Sequence, residues 1–180
     1  MICTGNICRS PMAEVSLRHL VSEDGFLARR VEITSAGTAN WHVGSPMDPR
    51  TRSALDRAGY HLEGTLSAYA ESGYLNRHDL IIVMTREHLH DVRQRLSNES
   101  TEVIMLRNLL EPGLDLDLAD PYYGDDLDFD ECLEVLTRGG RRLTSVLRQR
   151  LGEDSLEVSV RAMSAKAPPR ARQRGRPTGR

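Results

Sequence analysis

The chain has 180 residues, of which 39% are hydrophobic and 28% charged, a balance typical of one globular domain and not of a disordered or fibrous chain. No apolar run approaches the ~18 residues of a membrane-spanning helix, and the N-terminus shows no basic and apolar leader, so we expect a cytoplasmic protein that is not inserted in a membrane. The three cysteines are too few for a disulfide framework and indicate reduced thiols.

Charge is distributed unevenly along the chain. The formal net charge is −2, but residues 161–180 hold seven basic and no acidic side chains, which leaves 17 basic against 26 acidic residues in 1–160. A body this acidic is not expected to bind nucleic acid. Residues 155–180, rich in Pro and Arg, predict a basic disordered tail, and for this tail nucleic-acid contact stays open.

The first third of the chain predicts two helices and a strand. Ser10 suits the N-cap of the first helix and Pro11 its first position. Residues 31–34 have the composition of a short strand. An Asp-Pro pair at residues 48–49 opens a second helix, which ends at Gly59.

The middle of the chain predicts buried parallel strands. Residues 80–84 are a continuous apolar run of strand length, typical of a strand covered on both faces. A helix is predicted over 86–96 and a second buried strand over 103–106. Strands that alternate with helices indicate an open α/β sheet with helices on both faces, whose active site lies beyond the carboxyl ends of the strands.

The last third predicts an acidic loop and a long helix. Residues 111–131 hold nine carboxylates and are predicted to be a loop. A leucine stripe then indicates the last helix, which the pair Gly139 and Gly140 is expected to interrupt at ~1 kcal/mol each relative to alanine.

The residues with chemical potential stand in the loop before the first helix. A loop that enters a helix N-terminus presents several backbone N–H groups in one direction, which suits a phosphate-like oxyanion. Gly5 and Asn6 tolerate positive φ, and Arg9 adds a planar fork for two phosphate oxygens. The same positive field favours the thiolate form of Cys3, which can attack phosphorus.

This loop resembles the signature C-x-G-N-x-C-R-S-P of the low-molecular-weight protein tyrosine phosphatases, because residues 3–11 are C-T-G-N-I-C-R-S-P. The similarity continues in S-A-G-T at 35–38, W-H-V-G at 41–44, D-P-R at 48–50 and D-P-Y-Y-G at 120–124. It extends over roughly residues 1–152, so we assign residues 1–154 to one phosphatase domain. The resemblance implies a three-layer α/β/α fold with a short four-stranded parallel sheet and about five helices.

The resemblance also implies the catalytic roles. Cys3 is the implied nucleophile that forms a cysteinyl-phosphate, Arg9 binds the phosphoryl oxygens, and Asp120 is the general acid and then the general base. Ser10 would hydrogen-bond the Cys3 thiolate, and Asn6 would hold the loop in a strained form. The phosphate-binding set is completed by Thr4, Gly5, Ile7 and Cys8. Neither a metal nor an organic cofactor is implied.

The implied substrates are phosphotyrosine-containing proteins. Trp41, Tyr122 and Tyr123 resemble the aromatic walls of the family's cleft, and the implied assembly is a monomer or weak dimer. Cys8 resembles the second cysteine that forms a reversible disulfide with Cys3 under oxidation. The histidines have no metal-ligand spacing and are expected to be solvated or packed.

Two other activities occur on the same fold. In the phosphoarginine phosphatases, the resemblance places at the loop position of Ile7 a threonine that recognises the guanidinium, so an apolar Ile7 together with Tyr122 favours phosphotyrosine. Arsenate reductases need a relay of further cysteines, and Cys132 stands alone in the last helix, where a buried small residue is the better interpretation. We therefore rank phosphotyrosine first, phosphoarginine second and arsenate third.

The resemblance fails just before Cys3. Family members carry an apolar strand there, in the middle of the sheet, and this chain has Met1 and Ile2. Each buried side chain lost would cost ~1.5–3 kcal/mol, against a total stability of ~5–15 kcal/mol. Two interpretations follow: a start assigned too far downstream, which we favour, or an inactive relative that binds anions.

Overall fold

The computed structural model describes residues 1–61 and 66–165, with side chains described as far as residue 152. Its strands are β1 Ile2–Cys3, β2 Ala36–Gly37, β3 Leu80–Val83 and β4 Glu102–Met105. The α-helices are α1 Arg9–Glu23, α2 Pro49–Arg57, α3 Ser72–Leu75, α4 Arg86–Arg95 and α5 Asp126–Ala165, and 3₁₀ turns span Leu27–Arg29, Leu106–Leu109 and Pro121–Tyr123. All strands are parallel in the order β2-β1-β3-β4, which confirms the predicted four-stranded α/β fold.

The sheet is covered on both faces, as the apolar run at residues 80–84 predicts. Ile82 and Met84 belong to a core cluster built with α1, α2 and α5. Ile81 and Val83 belong to a second cluster, built with α3 and α4. Because successive side chains of a strand point to opposite faces, one short strand contributes to both cores.

Strand β1 is short but central. Ile2 pairs with Ala36 of β2 and with Val83 of β3, and Cys3 pairs with Gly37, whereas β3 and β4 share four residue pairs. The sheet is therefore continuous across the segment for which the sequence predicts a deficit. Cys3 stands at the carboxyl end of this central strand, where ligand sites lie in open parallel sheets.

The prediction of a strand at residues 31–34 is wrong. These residues have no strand structure, and β2 begins at Ala36 instead. Strand β1 has two residues, which pair only with Ala36 and Gly37. The length of β2 is therefore set by β1 and not by the apolar residues at 31–34. Val31 and Ile33 still pack, partly buried, against the core.

Two predicted helices are confirmed, and the structure shows the side chains that cap them. Asp48 caps α2 by accepting a hydrogen bond from Arg50 N, and Gly59 follows the helix with a φ of 81°. Helix α4 begins after Thr85, whose hydroxyl accepts a hydrogen bond from His88 N.

The last helix differs from its prediction at its start and in its middle. It begins at Asp126, so the last six residues of the predicted acidic loop are helical, because Asp125 Oδ1 accepts hydrogen bonds from the N–H groups of residues 127 and 128. Gly139 and Gly140 do not interrupt it. A Cβ at Gly139 would lie 3.1 Å from the Leu106 side chain, so the glycine is explained by close packing.

The predicted tail begins within the span of α5, which runs to Ala165, and residues 166–180 lie outside the described residues. The tail therefore stays a prediction. In the part of the chain that the structure describes, no helix combines the length and the apolar character needed to cross a membrane.

Candidate active site

The loop between β1 and α1 is held by hydrogen bonds to its carbonyl groups. The donors come from three surrounding segments: Thr38 N to Cys3 O at 2.8 Å, Ala39 N to Thr4 O at 2.9 Å, Ser67 Oγ to Gly5 O at 3.0 Å, and Asp48 N to Ile7 O at 2.9 Å. A loop whose carbonyl groups are directed outward presents its N–H groups to the space that it encloses, which is the geometry of an anion-binding nest.

Asn6 is the residue that fixes the shape of this loop. Its φ is 55°, in the left-handed region, and its side chain is buried. Nδ2 donates to Ser10 Oγ and to Ser35 Oγ at 2.8 Å each, and Oδ1 accepts from Ala68 N at 2.8 Å. These bonds stabilise a backbone conformation that costs roughly 1–2 kcal/mol. The strained role implied for Asn6 matches this geometry, whereas Gly5 has no positive φ.

Ser10 does not cap α1, so the predicted N-cap is wrong. Helix α1 begins at Arg9, Cys8 is at the cap position, and no side chain caps the helix. Ser10 Oγ lies 3.0 Å from Cys3 Sγ and accepts a hydrogen bond from Asn6 Nδ2. Ser10 Oγ also donates to Ala36 O at the longer distance of 3.4 Å. When Cys3 is a thiolate, its sulfur carries no proton and can only accept, so the Ser10 hydroxyl is then the donor of the shorter contact.

Sequence reasoning missed a buried support behind the loop. Ser35 Oγ donates to Glu14 Oε2 at 2.6 Å, and this carboxylate is 1% exposed and also accepts from Arg18 Nη1 at 3.3 Å. Glu14 lies one helical turn after Ser10, so the two side chains share the face of α1 that looks onto the loop. The four-residue spacing of Ser10 and Glu14 is the feature of the sequence that could have indicated this support.

Gly37 is a second residue whose role the sequence does not reveal. A Cβ at this position would lie 2.4 Å from Thr4 O and 3.1 Å from Asn6 N. The loop therefore approaches β2 so closely that only glycine fits. This contact gives a physical reason for the S-A-G-T motif, which sequence analysis identified only by resemblance.

Arg9 lies across the loop and is 4% exposed. Nη1 donates to Leu118 O at 3.2 Å, Nη2 donates to Thr4 Oγ1 at 3.3 Å, and the guanidinium forms an ion pair with Asp120. Arg9 Nε is the one buried side-chain nitrogen or oxygen of the described residues without a hydrogen-bond partner. A buried N–H without an acceptor is costly, which indicates that the site is built for an added acceptor such as an anion.

Asp120 reaches the same site from the acidic segment that precedes α5. Leu118 N donates to Met84 O at 2.8 Å, which attaches this segment to the end of β3. Asp120 Oδ1 then accepts a hydrogen bond from Tyr122 N at 3.3 Å, while Oδ2 contacts Arg9. The Asp120 side chain is 40% exposed, so it can exchange protons with a bound molecule or water.

These residues surround one cleft of about 350 Å³. Its lining consists of Cys3, Thr4, Gly5, Ile7, Cys8, Arg9, Trp41, His42, Asp120, Tyr122 and Tyr123. Trp41 is 75% and Tyr123 is 94% exposed, so most of each ring is accessible at the cleft, and the Tyr123 ring packs edge-to-face with Tyr122 at 5.0 Å between centroids. Except for Asn6 and Ser10, which support the loop from behind, every predicted site residue lines this cleft.

Arg50 supports one aromatic wall. Its Nη1 donates to Gly124 O at 3.3 Å, and its guanidinium lies 5.6 Å from the Tyr122 ring and 4.7 Å from the Phe129 ring. Asp48 holds the other side of this guanidinium at 2.9 Å. The D-P-R motif thus links the loop, through Asp48 N, to the segment that carries Asp120.

The other two cysteines are neutral thiols in this structure. Burial raises the pKa of Cys8 to about 12 and that of Cys132 to about 12. All three cysteines are free, so a disulfide between Cys3 and Cys8 stays a prediction. Within the described ranges, no group of three or more His, Cys, Asp or Glu side chains could hold a metal ion.

Comparison with known proteins shows which family this chain resembles. The sequence model of the family described as "Low molecular weight phosphotyrosine protein phosphatase" matches residues 1–156. A low molecular weight protein-tyrosine-phosphatase of Streptomyces coelicolor is 40% identical over 155 residues, which cover 83% of this chain and 93% of that protein.

Two solved structures show the same fold. YfkJ from Bacillus subtilis matches with a TM-score of 0.75 and 31% identity over 83% of this chain and 92% of that one. The YwlE arginine phosphatase from Geobacillus stearothermophilus matches with a TM-score of 0.73 and 25% identity over 84% and 93%.

Proposed function

The chain belongs to the low molecular weight phosphotyrosine protein phosphatase family, and from this premise we propose that it hydrolyses phosphotyrosine in proteins through a cysteinyl-phosphate. The observation that carries the proposal is the convergence of Cys3, Arg9 and Asp120 on one cleft. A nucleophile, a phosphate-binding cation and a proton donor are the groups that phosphoryl transfer requires.

In the first step, the Cys3 thiolate attacks phosphorus while the bond from phosphorus to the tyrosine oxygen breaks. Asp120 gives its proton to the leaving phenolate. Arg9 and the loop N–H groups stabilise the charge on the equatorial oxygens, and the Ser10 hydroxyl donates to the sulfur. The Arg9–Asp120 ion pair must open for this step, because the phosphoryl oxygens take the place of the carboxylate.

In the second step, the Asp120 carboxylate takes a proton from water, whose oxygen attacks phosphorus. The phosphorus–sulfur bond breaks, the thiolate of Cys3 is restored and inorganic phosphate leaves. Asp120 ends this step protonated, as it began the first, so the cycle closes without another reactant.

The cleft walls favour an aromatic substrate. Trp41, Tyr122 and Tyr123 contribute aromatic rings to the lining, and Ile7 contributes an apolar side chain. A phenyl ring buries apolar surface against such walls, whereas a guanidinium would need polar partners there. The similarity to an arginine phosphatase makes phosphoarginine the second candidate.

The test compares two peptides as substrates of the wild-type chain. They differ only at the phosphorylated position, which is phosphotyrosine in one and phosphoarginine in the other. We expect release of phosphate from the phosphotyrosine peptide, no turnover by Cys3→Ser, and about 10²–10³-fold slower turnover by Arg9→Ala. Acid quenching followed by mass spectrometry should find phosphate on Cys3. Preferred turnover of the phosphoarginine peptide would reverse the order of the two candidates, and undiminished activity of Cys3→Ser would exclude the mechanism.

A further inference from the structure

We propose that His88 is a positioning residue for the phosphate-binding loop, and that it acts on Arg9 through the hydroxyl of Thr4. The inference rests on the proposed function for its catalytic meaning, but its geometry stands independently. His88 belongs to the first turn of α4 and does not line the cleft. Its ring joins that helix to the loop.

The His88 ring is held at both nitrogens. It is 2% exposed, Nδ1 lies 2.9 Å from Thr85 Oγ1, and Nε2 lies 2.9 Å from Thr4 Oγ1. Thr85 Oγ1 also accepts from His88 N at 3.2 Å, so the residue that caps α4 orients the ring as well. A buried imidazole with both nitrogens bonded has a single orientation.

Thr4 Oγ1 stands between His88 and Arg9. It accepts from Arg9 Nη2 at 3.3 Å and meets His88 Nε2 at 2.9 Å. A hydroxyl has one proton and two acceptor positions, so it can satisfy both neighbours with either neutral form of the imidazole. Without His88, the Thr4 side chain would lose the contact that holds its oxygen toward Arg9.

This contact matters most when substrate is bound. In the structure, Leu118 O, Thr4 Oγ1 and Asp120 accept from the guanidinium. The proposed reaction removes Asp120 from this set, since the phosphoryl oxygens replace it. Thr4 Oγ1 is then the remaining side-chain acceptor among the three, so its position decides how Nη2 meets an equatorial oxygen.

The ring also stays uncharged beside this cation. Burial and the neighbouring Arg9 lower the pKa of His88 to about 4, against a smaller opposite effect of Asp117. A neutral imidazole orients Thr4 without repelling Arg9. The arrangement resembles the way in which a second layer of groups orients the residues that touch a ligand.

The test separates the two nitrogens. In His88→Gln the side-chain amide can reach the position of Nε2 and bond Thr4, whereas in His88→Asn the shorter amide reaches only the position of Nδ1 and Thr85. His88→Leu removes both bonds. His90→Gln is the matched control, because His90 is an exposed histidine of the same helix that bonds Gln94. Each variant is measured for kcat/KM on the phosphotyrosine peptide, for the Kd of inorganic vanadate, and for its free energy of unfolding in urea.

We expect about tenfold losses in kcat/KM and in vanadate affinity for His88→Leu and His88→Asn, and less than about threefold losses for His88→Gln. Thr4→Val should show the loss of His88→Leu, and the double variant should lose no more than either single one. Equal activity of the Asn and Gln variants, or additive losses in the double variant, would overturn the inference. Vanadate binding that follows this pattern in an enzyme inactive on phosphotyrosine would contradict the proposed function and leave the inference standing.

Discussion

At the residue scale, Arg9 is the side chain on which both steps of the proposed reaction depend. It contacts the loop through Thr4 and the acidic segment through Leu118 O and Asp120. Because residues 9 and 120 are 111 positions apart in the sequence, the ion pair between them also joins the loop to the acidic segment before α5. Substitution of Arg9 should therefore weaken charge stabilisation, whereas substitution of Asp120 should weaken proton transfer, and the two effects can be measured separately.

Asp120→Ala tests the proton transfer. We expect turnover of phosphotyrosine to fall by about 10²–10⁴-fold, because the phenolate leaves without a proton, and turnover of aryl phosphates with acidic phenols to fall far less. The measurement is the dependence of log kcat on the pKa of the leaving phenol, which should steepen. Asp130→Ala, which removes an exposed ion pair with Arg57 and does not touch the cleft lining, is the control and should leave this dependence unchanged. Equal slowing of good and poor leaving groups would remove Asp120 from the acid role.

Asn6→Gly and Asn6→Ala separate the two contributions of that residue. Both variants lose the hydrogen bonds to Ser10, Ser35 and Ala68. We expect a decrease in the free energy of unfolding of roughly 2–4 kcal/mol for Asn6→Gly. Asn6→Ala should lose ~1 kcal/mol more, because its Cβ is strained at a φ of 55°. Urea denaturation measures both values. An alanine variant more stable than the glycine variant would contradict a left-handed backbone at this position.

At the scale of elements, helix α5 is a major contributor to one core. Its buried side chains Phe129, Leu133, Leu136 and Leu143 pack in the cluster that also holds α1 and α2. The close approach at Gly139 and Gly140 lets the helix lie against Leu106 and Leu20. A residue unfavourable for the isolated helix is therefore favourable for the packed one, because interhelical contact outweighs the propensity difference of ~1 kcal/mol.

Alanine substitution at three glycines of α5 tests this balance. Gly152 has no atom near an added Cβ, so Gly152→Ala should stabilise by ~0.5–1 kcal/mol. An added Cβ at Gly139 would lie 3.1 Å from fully buried Leu106, which has little freedom to move, so Gly139→Ala should destabilise by ~1–3 kcal/mol. Gly140→Ala should fall between them, since its neighbour Leu20 is only half-buried. Thermal and urea unfolding give the order, and a stabilised Gly139→Ala would refute the packing explanation.

At the scale of the whole molecule, two cores pack on opposite faces of a four-stranded sheet, and the site lies at the carboxyl ends of its strands. The loop, α1 and α5 belong to one core, and α4 belongs to the other. His88 bridges the two through Thr4, across the carboxyl end of the sheet. Its protonation should therefore affect the stability of the entire domain.

The pH dependence of unfolding tests this connection. The pKa of His88 is lowered from its ordinary value of 6.5 to about 4, so between these values the unfolded chain binds more protons than the folded one. The contribution of His88 to the free energy of unfolding should then fall by roughly 3 kcal/mol as the pH decreases from 6.5 to 4, and the carboxylates with lowered pKa, such as Asp117, should add their own losses. Urea denaturation of His88→Gln across this range should show a smaller decrease, and His90→Gln the same decrease as the wild type. Identical profiles for His88→Gln and the wild type would exclude His88 as the cause.

Local chemistry was accessible from the sequence. Residues 3–11 are contiguous, so the proposed anion-binding loop, with the proposed nucleophile and arginine, could be predicted before any contact was known. Helices α2 and α4 carry their caps next to their own ends, and the apolar run at 80–84 is typical of a strand buried on both faces. Each of these signals lies within a few residues of the structure that it predicts.

Only the tertiary structure decided which distant residues meet. The hydroxyl of Ser10 serves Cys3 and Asn6 instead of a helix cap, and Gly37 and His88 each contact Thr4 from another element. The strand at 36–37 takes its length from β1. These outcomes depend on contacts between segments that are distant in the sequence, and such segments meet only in the packed domain. Sequence therefore determined the chemistry of the loop, whereas packing determined which groups support it.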